Sequence, residues 1–171
     1  VSAIIAAGIV PTALEIMDKL ITGAVEAHYH AGFPLDAGAV LLVEIAGPRD
    51  DMLAGEAAIA RIAREHGAIS WRSSADPLER EALWASRKGA AGALGRIAPN
   101  YYIQDACVPR TKLPAVVHEI ERIARDHDLP VGNVFHAGDG NLHPLLCFDR
   151  RDARAARASR RSKHNSGCRF P

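Results

Sequence analysis

Two histidines, His136 and His143, bracket the stretch His-Ala-Gly-Asp-Gly-Asn-Leu-His. Neutral imidazoles are good ligands for zinc, iron or manganese. Gly138 and Gly140 can take positive φ, and Asp139 and Asn141 can bond the backbone, so the stretch suits a tight turn. Short apolar runs at 131–135 and 145–148 flank it, which predicts strand, turn, strand, with the two imidazoles able to face one another if the strands pair. The plainer reading of the same pattern is a hairpin with two polar ends. A second place with chemical potential is Leu83-Trp84-Ala85-Ser86-Arg87-Lys88, where Arg87 could offer a planar donor set to a carboxylate; a solvated helix face is the alternative. Asp105, in Asp105-Ala106-Cys107-Val108-Pro109, fits a structural turn residue, and Cys107 fits a core thiol better than a nucleophile, since nothing in the sequence pairs with it.

These residues need a scaffold. Residues 1–8 end in glycine as the last turns of a helix would, and residues 9–18 look extended, with Pro11 near a strand start. Asp18 is placed to cap a helix over 19–30, in which Leu20, Ile21, Ala24, Val25 and Ala27 fall at helical spacing. The apolar run 39–46 reads as a central strand closed by Gly47-Pro48. Asp50 or Asp51 would cap a helix to about His66, with Gly67 closing it. A short strand is expected at Ala68-Ile69-Ser70-Trp71, then a helix begun by Ser74-Ala75-Asp76-Pro77 and frayed over 89–95. Residues 101–108 predict one strand, and residues 115–126 a strongly amphipathic helix with Val116, Val117, Ile120, Ile123 and Ala124 in one stripe. Together these elements predict an α+β fold of ferredoxin-like split βαβ units, a mainly antiparallel sheet with helices on one face.

Composition bounds the rest. Nearly half of the 171 residues are apolar, enough for one packed domain. The last 22 residues hold eight of the 21 basic residues and one of the 20 acids, so a net charge of +1 hides an acidic body and a basic tail. That tail, residues 150–171, is poor in large apolar residues and is expected to be disordered or non-native, leaving 1–149 as the domain. No aromatic interleaving or nucleic-acid motif accompanies the basic residues, so nucleic acid is not an expected partner. Three scattered cysteines without Cys-x-x-Cys spacing suggest free thiols in a reducing compartment, and no apolar window is long enough for a membrane span, so the expected location is cytoplasmic.

The eight residues from His136 to His143 resemble, almost letter for letter, a motif of the C-terminal domain of FAD-linked oxidases, the family of glycolate oxidases, D-lactate dehydrogenases and D-2-hydroxyglutarate dehydrogenase. Gly-Ile-Val-Pro-Thr-Ala-Leu-Glu-Ile-Met-Asp, residues 8–18, resembles an early segment of that domain, and the resemblance runs to Asp149. It implies that His136 and His143 bind a divalent metal (Zn, Mn or Fe), that Arg87 binds the substrate carboxylate, and that Asn141 shapes the turn or approaches FAD, which is held mainly by a separate upstream domain. It further implies an FAD-dependent 2-hydroxy acid oxidoreductase acting on glycolate or D-lactate, the metal acting as a Lewis acid on the substrate while hydride passes to the flavin. The apolar Ile103 weakly favours such small substrates. The family's downstream Ser-x-x-Glu-His-Gly segment, source of a third metal ligand and a base, has no counterpart after Asp149, so this chain alone is not expected to turn over substrate. Two other classes stay open: a stand-alone ferredoxin-like module for a small acid or a metal, and a subunit completed by partner chains.

Overall fold

The computed structural model describes residues 1–166, with side-chain surroundings to residue 159. In chain order the elements are α1 (Ser2–Ala6), β1 (Ala13–Asp18), α2 (Lys19–Tyr29), β2 (Ala39–Glu44), α3 (Arg49–Glu65), α4 (Pro77–Lys88), α5 (Ala90–Ala93), β3 (Asn100–Ile103), β4 (Ala106–Cys107), α6 (Leu113–Asp126), β5 (Val131–His136), β6 (Asn141–Phe148) and α7 (Ala153–Ser166). The strands form one antiparallel sheet in the order β2-β1-β5-β6-β3, with β4 also on β6. The α+β antiparallel architecture is therefore the one the sequence predicts.

The helices, however, cover both faces of the sheet rather than one. On one face Met17, Val134, Leu145 and Cys147 meet Ile21 and Val25 of α2 and Ala90 and Ala93 of α5. On the other, Leu14, Phe135 and Leu142 meet Ile4 of α1, Ile59 and Ile62 of α3, and Val116 and Ile120 of α6. One split βαβ unit is present: β3, α6 and β5, with β6 lying between the two parallel strands. The other crossover, β1–α2–β2, joins neighbouring antiparallel strands instead.

Local signals account for most element ends. The Asp18 carboxylate accepts from the Ile21 amide at 2.9 Å and caps α2 as expected. Asp76 accepts from Leu78 N at 3.0 Å, and Pro77 opens α4. The start of α3 differs: Pro48 is the cap residue, and Asp50 and Asp51 lie within the first turn, where their negative charge complements the positive end of the helix dipole.

Three further expectations are corrected. The run 39–46 is an edge strand rather than a central one; it is apolar because its two faces serve both cores, Val40 and Leu42 on one side and Val43 and Ile45 on the other. Ala68-Ile69-Ser70-Trp71 is an exposed loop, because β-forming residues without a sheet edge to pair with do not make a strand. Residues 101–108 form two strands, β3 and β4, broken at Gln104-Asp105.

The basic tail also departs from expectation, since α7 is helical. Asp152 accepts from the Arg154 and Ala155 amides at its start, at 2.8 and 3.3 Å. Small residues replace the missing apolar stripe: Ala156 and Ser159 are buried where α7 lies against α6 and β6. The remainder of the expected disordered segment, residues 167–171, lies outside the described residues. No helix among the described residues is long and apolar enough to cross a membrane.

Candidate functional site

The hairpin predicted around the two histidines is present. His136 pairs with Asn141 and Val134 with His143, so the histidines are diagonal neighbours on one face of the sheet. Their ring centroids are 5.2 Å apart and nearly perpendicular. The turn depends on Gly140, at φ +75°, where a Cβ would come within 2.1 Å of the Val108 carbonyl oxygen. The Val108 amide in turn donates to Gly140 O at 2.9 Å, tying the turn to the chain that leaves β4.

Each imidazole is held through Nδ1 by a carboxylate. His136 Nδ1 lies 2.6 Å from Glu15 Oε1, and Glu15 stands opposite His136 across the β1–β5 pairing. His143 Nδ1 lies 2.7 Å from Asp105 Oδ1. A carboxylate only accepts, so Nδ1 carries a hydrogen in both rings, and in the neutral imidazole the lone pair is then on Nε2. That is the arrangement in which a carboxylate orients a metal-ligating histidine. The donor chemistry thus fits two ligands of a divalent ion. Among the described residues, no group of three or more His, Cys, Asp or Glu gathers to complete such a site.

Arg87 enters the same constellation. Its Nη2 donates to Glu15 Oε2 at 2.6 Å, and both side chains are nearly buried, 12% and 8% exposed. Its Nε is buried without a hydrogen-bond partner among the described residues. Arg87, Lys88, Asp105 and His143 border a cleft of about 300 Å³ whose apolar wall is Ala91, Ile103, Val134 and Leu145. A cleft of this size can take a small ligand.

The structure therefore brings Arg87, His136 and His143 together, with Asn141 on the same sheet face and opposite both His136 and Cys107. Two residues that sequence reasoning missed or misread complete the group. Glu15 is an acid on the inward side of β1, two residues from the buried Met17; a charge at that point of the alternation was the available signal. Asp105 takes the His143 ring, from the break between β3 and β4, rather than serving the backbone of a turn. Cys107 is exposed, not a core thiol, whereas Cys147 is buried and its thiol is pushed up to about 11 by that burial.

The site is thus a pair of carboxylate-held histidines beside a small cleft bordered by Arg87, in an antiparallel α+β domain. The family model "FAD linked oxidases, C-terminal domain" matches residues 1–164, and the chain belongs to this family. It is similar to glycolate oxidase subunit GlcD of Escherichia coli K12, at 47% identity over 146 residues, which cover 85% of this chain and 29% of that protein. It is also similar to glycolate oxidase subunit GlcD of Bacillus subtilis, at 37% identity over 89% of this chain and 32% of that one. The mitochondrial cytochrome-type D-lactate dehydrogenase of Arabidopsis thaliana is 26% identical over 92% of this chain and 28% of that protein. Among solved structures, 4-ethylphenol oxidase from Gulosibacter chungangensis shares the fold with a TM-score of 0.57 at 13% identity, over 90% of this chain and 36% of that chain. The chain thus spans about a third or less of the curated relatives' length.

Proposed function

We propose that this domain supplies the substrate-carboxylate and metal-binding residues of an FAD-dependent oxidoreductase acting on a short 2-hydroxy acid such as glycolate or D-lactate. The observation that carries this reading is the convergence of Arg87, His136 and His143 from three separate elements on one cleft-bearing sheet face. Three relatives named as a glycolate oxidase subunit or a D-lactate dehydrogenase support the substrate class.

Arg87 would orient the substrate carboxylate. Its Nη2 is engaged by Glu15, and the guanidinium carries further N–H donors beyond that bond. This contribution is one of positioning. Ile103, Val134, Leu145 and Ala91 would surround the substituent at C2, where an apolar wall tolerates hydrogen or methyl. His136 and His143 would hold a divalent ion (Zn, Mn or Fe) through Nε2, and that ion, when bound, lowers the pKa of the substrate hydroxyl. FAD accepts the hydride in this class of reaction, and Asn141, opposite His136 on the same sheet face, would approach it. Since two of the relatives are subunits by name, partner subunits are part of the proposal.

The test is ligand binding by the chain itself, followed by NMR in the presence of zinc chloride. Glycolate and D-lactate are expected to saturate and to perturb Arg87, His136 and His143, with affinity at least about tenfold lower in Arg87→Gln. Equal binding by Arg87→Gln, or no perturbation at the histidines, would overturn the reading.

A further inference from the structure

We propose that Glu15 is the positioning residue of this site: one carboxylate holds Arg87 with one oxygen and sets the tautomer of His136 with the other. The inference rests on the reading of Arg87 and His136 given above and extends it to a residue that touches neither substrate nor metal.

The geometry assigns the two oxygens separately. Oε2 accepts from Arg87 Nη2 and Oε1 from His136 Nδ1, each at 2.6 Å, across sequence separations of 72 and 121 residues. A buried carboxylate costs several kcal/mol in desolvation unless its lone pairs are filled. Glu15 is 8% exposed, and its place in β1, directly opposite His136, delivers it to both donors. A merely structural ion pair would need only Arg87. Giving the second oxygen to His136 instead places a hydrogen on Nδ1 and, in the neutral ring, leaves the lone pair on Nε2. The same bond fixes the plane of the ring, so the arginine and the histidine are registered to one another through a single rigid strand residue. Asp105 does the equivalent for His143 alone, from a loop and with a largely exposed side chain, so it lacks the link to Arg87.

Glu15→Gln separates tautomer control from bulk. The amide has nearly the same volume, yet it can keep accepting from Arg87 only by turning its NH2 toward His136. That NH2 favours a hydrogen-free Nδ1 and therefore the Nε2–H tautomer, which cannot ligate through Nε2. The experiment is nitrogen-15 NMR of the imidazoles in the full 171-residue chain, without metal, at a pH where the rings are neutral. The expected result is an Nδ1–H tautomer at His136 in the wild type, a shift of His136 toward Nε2–H in Glu15→Gln, and no change at His143. Zinc affinity of Glu15→Gln is expected to fall by about tenfold or more. An Nε2–H tautomer at His136 in the wild type overturns the proposal and needs no folded variant. An unchanged His136 tautomer in a folded Glu15→Gln overturns it as well. If the tautomers behave as expected but the wild type binds no zinc, Glu15 keeps its tautomer role and the metal reading of the two histidines fails instead.

Discussion

Arg87 Nη2 and Glu15 Oε2 stand 2.6 Å apart, joining α4 to β1 in a pair of which neither side chain is more than 12% exposed. Removing the arginine leaves a buried carboxylate with His136 as its remaining partner. Arg87→Ala is therefore expected to destabilise the domain by about 3 kcal/mol, read as a lower urea midpoint at unchanged slope. A loss below about 0.5 kcal/mol would place the pair in the class of exposed ion pairs.

The hairpin turn is the most sensitive backbone position near the site. Gly140 combines a φ of +75° with the Val108 carbonyl oxygen 2.1 Å from where a Cβ would sit. Gly140→Ala must move either the turn or the chain after β4, and should cost about 2 kcal/mol or more, the clash adding to a left-handed penalty of about 1–2 kcal/mol. The displacement should appear in NMR as shifts at His136 and His143 as well as at Val108; shifts confined to the turn itself would contradict it.

Asp18 makes stability depend on pH. Its carboxylate accepts from Ile21 N, from Asn133 N at 2.6 Å and from Asn133 Nδ2 at 3.0 Å. Burial nonetheless raises its pKa above the ordinary value of 3.8, outweighing those bonds. The folded state then keeps the proton to higher pH than the unfolded chain does. The resulting stability is complete below 3.8 and is lost as pH rises through the folded value. Asp18→Asn should abolish this slope in urea melts. It should also cost about 1–3 kcal/mol, because an amide NH2 would face the Asn133 donors.

The thiols should separate cleanly under alkylation. Cys107 is exposed, while Cys147 is buried with its thiol pushed up to about 11. Iodoacetamide is expected to label Cys107 in the native protein and Cys147 only after denaturation, read by peptide mass spectrometry. Native labelling of Cys147 at a comparable rate would mean that β6 opens far more readily than its packing implies.

The hairpin and its two histidines were legible in the sequence because everything that makes them is local. Gly138, Asp139, Gly140 and Asn141 encode the turn, and the flanking apolar runs encode the strands. Asp18 and Asp76 were legible as caps for the same reason, since a cap and its amide lie two or three residues apart. The edge position of β2, the split between β3 and β4, and the docking of α7 were not, because each depends on what another segment offers. A strand needs a free neighbour, and α7 is held by small residues against a surface built by α6 and β6.

The site divides along the same line. Sequence by itself singled out the candidates His136, His143 and Arg87, since their side-chain chemistry and local motifs do not depend on the fold. Tertiary structure alone decided their partners. Glu15 reaches Arg87 and His136 across 72 and 121 residues, and Asp105 reaches His143 across 38. Those distances close only when β1 pairs with β5 and when the chain breaks between β3 and β4, and no local spacing encodes either event.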